Sequence, residues 1–137
     1  MARGLMLETT FLIDLERERH RREEGQAHRY LRSRPEERLH VAVTTAGELG
    51  AGVDEDERSS LERMLAPFEI LGIDLDVCWR YGRAYRYLRE NGLLIGANDL
   101  WIAAIAIRHE VELVTREARH FRRIPGLRVG TYGETAA

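Results

Sequence analysis

Gly92-Leu93-Leu94-Ile95-Gly96-Ala97-Asn98-Asp99-Leu100-Trp101-Ile102-Ala103-Ala104-Ile105-Ala106-Ile107 is the most apolar run of the chain, and its reading decides the fold. Asn91-Gly92 stops a preceding helix. A new helix starts at Ala97 or Asn98 and reaches Arg108 or His109. Asp99 stands in its first turn. Ile102, Ala103, Ala106 and Ile107 follow at +3, +4, +7 and +8, so Asp99 shares the stripe that faces a core. Two readings stand. The helix dipole favours an acid in a first turn, and a carboxylate on a core face needs a partner, of which a metal ion is one.

Outward from this helix, the chain alternates strands and helices. Leu5-Met6-Leu7 is a short apolar strand ending at Glu8-Thr9-Thr10. Phe11-Leu12-Ile13 turns into a charged helix to about Arg22, with Asp14 on its polar side. Gln26 to Arg34 resumes as helix until Pro35. Leu39 to Val43 is the second strand, and Thr45-Ala46-Gly47-Glu48 has capping-box spacing before a helix from Ala46 to Ala51. Asp54 to Ala66 predicts a helix and Phe68 to Leu71 a strand. Asp74 to Glu90 predicts a long helix burying Val77, Tyr81, Ala84, Tyr85 and Leu88. Val111 to Thr115 is a strand, Glu117 to Phe121 a helical turn or two, and Arg128-Val129 an edge strand. The tail after Tyr132 is expected to be disordered. Strands separated by helices predict a three-layer α/β/α sandwich with a mostly parallel central sheet. One domain is expected over residues 1–137, with its core at about 5–132.

The bulk composition narrows the function classes. Formal net charge is -2, and all 21 formal positive charges are arginines, because lysine is absent. Guanidinium groups suit bidentate contacts to carboxylate or phosphate. The lone cysteine, Cys78, allows no internal disulfide and is expected as buried or partly buried filling; a reducing compartment, and hence the cytoplasm, is the simplest location. No run reaches the roughly 18 apolar residues of a membrane span, so no membrane association is expected. The N-terminus lacks the long apolar region of a secretion signal.

Ligands in open parallel sheets sit beyond the C-terminal strand ends. Acids occupy such positions three times: Glu8 after the first strand, Glu48 in the first turn after the second, and Glu117 after the Val111–Thr115 strand. Asp99 adds a fourth. Glu48 also suits a capping box and Glu117 a first-turn acid. Glu8 is harder to assign to local structure, since it interrupts two apolar runs. None of His20, His28, His40, His109 and His120 has metal-ligand spacing. Carboxylates without a cysteine or histidine cluster suit Mg²⁺ or Mn²⁺ rather than zinc. Phosphodiester hydrolysis is the usual chemistry of such a site. Arg116, Arg119, Arg122 and Arg123 beside the last acid suit either phosphate contact or a solvated surface.

Leu7-Glu8-Thr9-Thr10-Phe11-Leu12-Ile13-Asp14-Leu15, Thr45 to Leu49, Ile95 to Ala104 and Leu113 to Phe121 occur in that order, followed by Ile124-Pro125-Gly126-Leu127. The set resembles the PIN-domain ribonuclease toxins of the VapC type, over about residues 5–132. The resemblance implies a Mg²⁺- or Mn²⁺-dependent endoribonuclease, usually a homodimer. It also implies a small antitoxin whose C-terminal segment lies across the active-site groove. Glu48 and Asp99 match the second and third family acids. Glu8 stands where the family has Asp, Thr10 where it has Asn, and Glu117 where it has Asp or Asn. The resemblance thus makes Glu8, Glu48, Asp99 and Glu117 the catalytic and metal-binding set. Thr9, Thr10, Asn98, Thr115 and Arg116 would support it. Two further readings are a catalytically weakened module that binds RNA or an antitoxin-like protein, and a small Mg²⁺-dependent phosphatase, which would need a closed pocket.

Overall fold

The computed structural model describes residues 4–133. The tail expected to be disordered falls mainly on 134–137, outside the described residues. Five short strands form one parallel sheet: β1 (Leu5–Leu7), β2 (Leu39–Ala42), β3 (Glu69–Leu71), β4 (Glu112–Thr115) and β5 (Val129–Thr131). Their spatial order is β3-β2-β1-β4-β5. The helices are α1 (Thr9–Arg21), α2 (Gln26–Arg32), α3 (Val43–Ala51), α4 (Arg58–Leu65), α5 (Leu75–Glu90), α6 (Ala97–His109) and α7 (Ala118–Phe121), with a 3₁₀ turn at Glu55–Glu57 before α4.

The period of two along a strand sorts side chains to the two faces of the sheet. Leu5, Leu7, Val41 and Val114 pack with Phe11 and Leu12 of α1 and Ala27 of α2. Met6, Ala42 and Leu113 pack on the other face with Val77, Ala84 and Leu88 of α5 and most of α6. The result is the expected α/β/α arrangement, with β1 buried on both faces. Leu7 and Leu113 are fully buried, so truncating either to alanine is expected to cost about 2–5 kcal/mol.

Several elements differ from the sequence expectation. Helix α6 carries no one-sided stripe: Leu100 and Ile102 through Ala106 are all buried. Its alanines let neighbours approach from several directions, and it ends at Glu110 in the left-handed region (φ 56°). On α5, Tyr85 is exposed and Tyr81 only partly buried; Tyr81 stacks on Trp101 of α6 with centroids 4.0 Å apart. Cys78 is exposed rather than filling the core. Helix α3 begins at Val43, so Thr45 lies inside its first turn and is buried. The Thr45–Glu48 capping box therefore does not form, and Glu48 falls in the second turn rather than the first. No helix among the described residues is long and apolar enough to cross a membrane.

Candidate active site

The parallel pairing of β1 with β4 sets Leu7 against Val114, and the next residue on each chain is Glu8 and Thr115. Glu8 continues the ladder by one bond, its N–H donating to Val114 O at 3.1 Å. It then becomes the extended N-cap of α1. That double duty at a strand end and a helix start explains an acid between two apolar runs. The side chain is only 5% exposed. Its Oε2 accepts from the Thr10 backbone N–H at 3.0 Å, the Thr10 hydroxyl at 2.5 Å and the Thr115 hydroxyl at 3.2 Å. All of these bonds end on Oε2.

Burial pushes the Glu8 carboxyl above its ordinary value. The hydrogen bonds from Thr10 and Thr115 counter this, and the negative charge of Asp99 adds to the rise. The net direction is upward because desolvation disfavours the ionised form more than the donors favour it. A buried carboxylate that feels another carboxylate has a local excess of negative charge that a cation could balance.

The other acids reach the same end of the sheet from different elements. Glu48, on α3, accepts from the Thr9 hydroxyl at 3.1 Å, so the residue following Glu8 holds the second acid. Asp99, in the first turn of α6, is partly exposed, and its Oδ2 lies 3.1 Å from His120 Nε2. Glu117 is the N-cap of α7. Its N–H donates to Thr115 Oγ1 at 2.9 Å, while its carboxylate makes no hydrogen bond or ion pair among the described residues. Thr115 thus ties Glu8 to the Glu117 backbone. Asn98 is exposed next to Asp99.

Arg116 is held rather than free: it pairs with Asp14 Oδ2 at 2.6 Å and lies over the Tyr132 ring at 5.6 Å. Asp14 was expected on the polar side of the first helix, but it is buried and also accepts from the Tyr132 hydroxyl at 2.6 Å. The cause is β5, which brings Tyr132 against α1, and no local pattern around Asp14 signals it. Burial, with the Asp14 hydrogen bond and charge adding to it, raises Tyr132 so far that the phenol stays a donor. His120 is the other neighbour that the sequence did not single out. Its position five residues after Thr115 was visible, but its contact with Asp99 depends on the docking of α7 beside α6.

The acids converge loosely. Among the described residues, the one set of three or more acidic, histidine or cysteine ligand atoms within 4.8 Å of one another is Asp54, Asp56 and Glu57. These are exposed and belong to a helix start, where the Glu57 carboxylate accepts from the Asp54 N–H at 2.7 Å and the dipole favours acids. Glu8 and Asp99 are instead coupled by charge, and Glu48 is tied through the Thr9 hydroxyl to the residue that follows Glu8. Their chemistry still fits a hard divalent cation: oxygen donors only, with no thiolate among them.

A parallel sheet with acids at its C-terminal ends and threonines between them defines the class of fold and site. The chain belongs to the PIN domain family, whose model matches residues 5–127. It is similar to Ribonuclease VapC1 of Rickettsia felis, with 30% identity over 93% of this chain and 96% of that one. It is also similar to Ribonuclease VapC2 of the same organism, 38% identical over 73 residues, or 53% of this chain. That match spans 54% of the relative's length. Among solved structures, VapBC-1 from nontypeable Haemophilus influenzae superposes with a TM-score of 0.78, 30% identity, and coverage of 93% of this chain and 96% of that one.

Proposed function

We propose that this protein is a divalent-metal-dependent endoribonuclease, the toxin of a toxin–antitoxin pair, working in the cytoplasm on RNA. The observation that carries the reading is Glu8: a buried carboxylate at the C-terminal end of the central strand, engaged on one oxygen by Thr10 and Thr115 and facing the charge of Asp99. Glu8, Glu48 and Asp99 would hold Mg²⁺ or Mn²⁺, with Glu117 at the rim. When bound, the cation supplies Lewis-acid neutralisation of phosphate charge and makes water more acidic. Thr10 and Thr115 fix Glu8, Thr9 fixes Glu48, and Arg116, oriented by its pair with Asp14, would offer its remaining donors to a phosphate oxygen.

The family names of the relatives support a ribonuclease, and the VapC resemblance supports a small antitoxin as partner and a homodimer as assembly. The test is cleavage of structured RNA with Mg²⁺ or Mn²⁺, by wild type and by Asp99→Asn. Metal-dependent cleavage that falls with the substitution is expected. Undiminished cleavage in Asp99→Asn overturns the assignment.

One observation favours the weakened module as a second reading. The ligand atoms of the candidate acids do not close to 4.8 Å of one another, and Asp99 has His120 as its near neighbour. Mn²⁺ affinity separates the readings: RNA or partner binding with no metal binding at millimolar concentration would favour the module.

A further inference from the structure

Beside the carboxylates lies an open recess of about 300 Å³, walled by the outer side of α1, the α1–α2 turn and Arg116. Acids and arginines both line it, so its electrostatic character depends on which charges are already paired. Asp14 is occupied by Arg116 and the Tyr132 hydroxyl. Glu18 is occupied by the backbone N–H groups of Gly25, Ala27 and His28 and by the His28 ring. Glu24 pairs with Arg32. What is left is Glu23 against Arg17 and Arg21, neither of which makes an ion pair among the described residues. Arg17 and Arg21 are four residues apart on α1 and so share one helix face. Both are exposed.

The recess is joined to the acids at both ends of its wall. Helix α1 starts at the Glu8 cap and carries Arg17 and Arg21 onward from Asp14. Arg116 follows Thr115, which holds Glu8, and precedes Glu117. Arg17 and Arg21 make no ion pair among the described residues, and Arg116 keeps guanidinium donors beyond the one that Asp14 takes, so the three present donors to a polyanion leaving the carboxylates. We propose that Arg116, Arg17 and Arg21 form a phosphate track that binds the RNA backbone on one side of the cleavage point. Arg116 is fixed by Asp14 and sits nearest the acids, and the α1 pair takes the next phosphates. The proposal rests on the ribonuclease reading and assigns its substrate contacts.

The test uses the Arg17→Gln/Arg21→Gln double variant, whose exposed positions leave the fold intact, and a labelled single-stranded RNA. Binding is followed by fluorescence anisotropy without added metal across a salt series. Each lost phosphate contact flattens the slope of log K against log salt by about 0.7, so the pair is expected to remove about 1.4 and to weaken binding about 25-fold at 0.1 M salt. With Mn²⁺, KM for cleavage rises while kcat is held, the pattern of lost uniform binding. Arg58→Gln/Arg86→Gln removes the same charge from α4 and α5 and is expected to keep the wild-type slope. An equal loss in that control, or an unchanged slope in the α1 variant whose wild type cleaves RNA, overturns the track alone. A wild type that binds no RNA and does not cleave it with Mn²⁺ overturns the track and the ribonuclease reading together.

Discussion

Glu8 and Asp99 face one another across the site, and they are held in opposite ways. Glu8 is 5% exposed, and Thr10 and Thr115 clamp its Oε2. Asp99 sits at a helix mouth with its side chain 32% exposed and one side-chain neighbour, His120. The first wall is rigid and desolvated, and the second is hydrated and adjustable. A rigid wall fixes where a cation would sit. An adjustable one can follow a phosphate or release a ligand. The stored cost lies on the rigid side, because an ionised carboxylate buried without a counter-charge is unfavourable.

The substitutions that test this contrast differ in expected size. Asp99→Asn should have the largest effect, a fall in cleavage of more than about 100-fold, since even residues one shell further out cost 10–100-fold; a multiple-turnover RNA assay reads it. Thr115→Val should come next. It removes a donor to Glu8 and the acceptor for the Glu117 N–H, both buried or partly buried. A loss of about 1–3 kcal/mol in stability is expected, together with a 10–100-fold loss of Mn²⁺ affinity, read by urea unfolding and calorimetry.

Glu8→Gln should move stability the other way. The Glu8 carboxyl is raised in the folded state, so the native protein binds its proton more tightly than the unfolded chain does. The stability this contributes is full below the ordinary value of 4.5 and is lost as pH rises through the elevated one. Without metal, wild type should therefore lose thermal stability over that window, and Glu8→Gln should not. At neutral pH the amide variant melts higher than metal-free wild type but gains nothing from Mn²⁺. Wild type gains about 2.7 kcal/mol at a hundredfold excess over Kd.

The smallest effect is expected at Glu18→Gln, remote from the acids. Burial raises Glu18 but is outweighed by the hydrogen bonds from His28, Ala27 and Gly25, so its carboxyl lies below the ordinary range. Its contribution is present above the ordinary value and fades as pH falls through the depressed one. The variant should lose about 1 kcal/mol, the size of a helix cap, in urea unfolding at neutral pH, with kcat for cleavage unchanged.

The same contrast explains what was readable in the chain. The sheet was legible because Leu5-Met6-Leu7 and the Val111–Thr115 strand are short apolar runs set between helical segments, the pattern of strands buried on both faces. The acids were legible because each follows a strand or opens a helix. Buried Asp14 was not, since its partners, Arg116 and Tyr132, come from more than a hundred residues away. Glu48 looked like half of a capping box because that spacing is local. The helix start at Val43 moved it one turn further along α3, where Thr9 meets it. His120 was missed because the packing of α7 beside α6, rather than spacing, brings it to Asp99.

On the proposed reading the cation would lie between the rigid and the adjustable wall. Anomalous scattering from a crystal soaked in Mn²⁺ tests it most directly. A peak is expected in contact with Glu8, on the oxygen that the threonines leave available, and with Asp99 or Glu48. A peak confined to the exposed Asp54, Asp56 and Glu57 group, with none at Glu8, would contradict it.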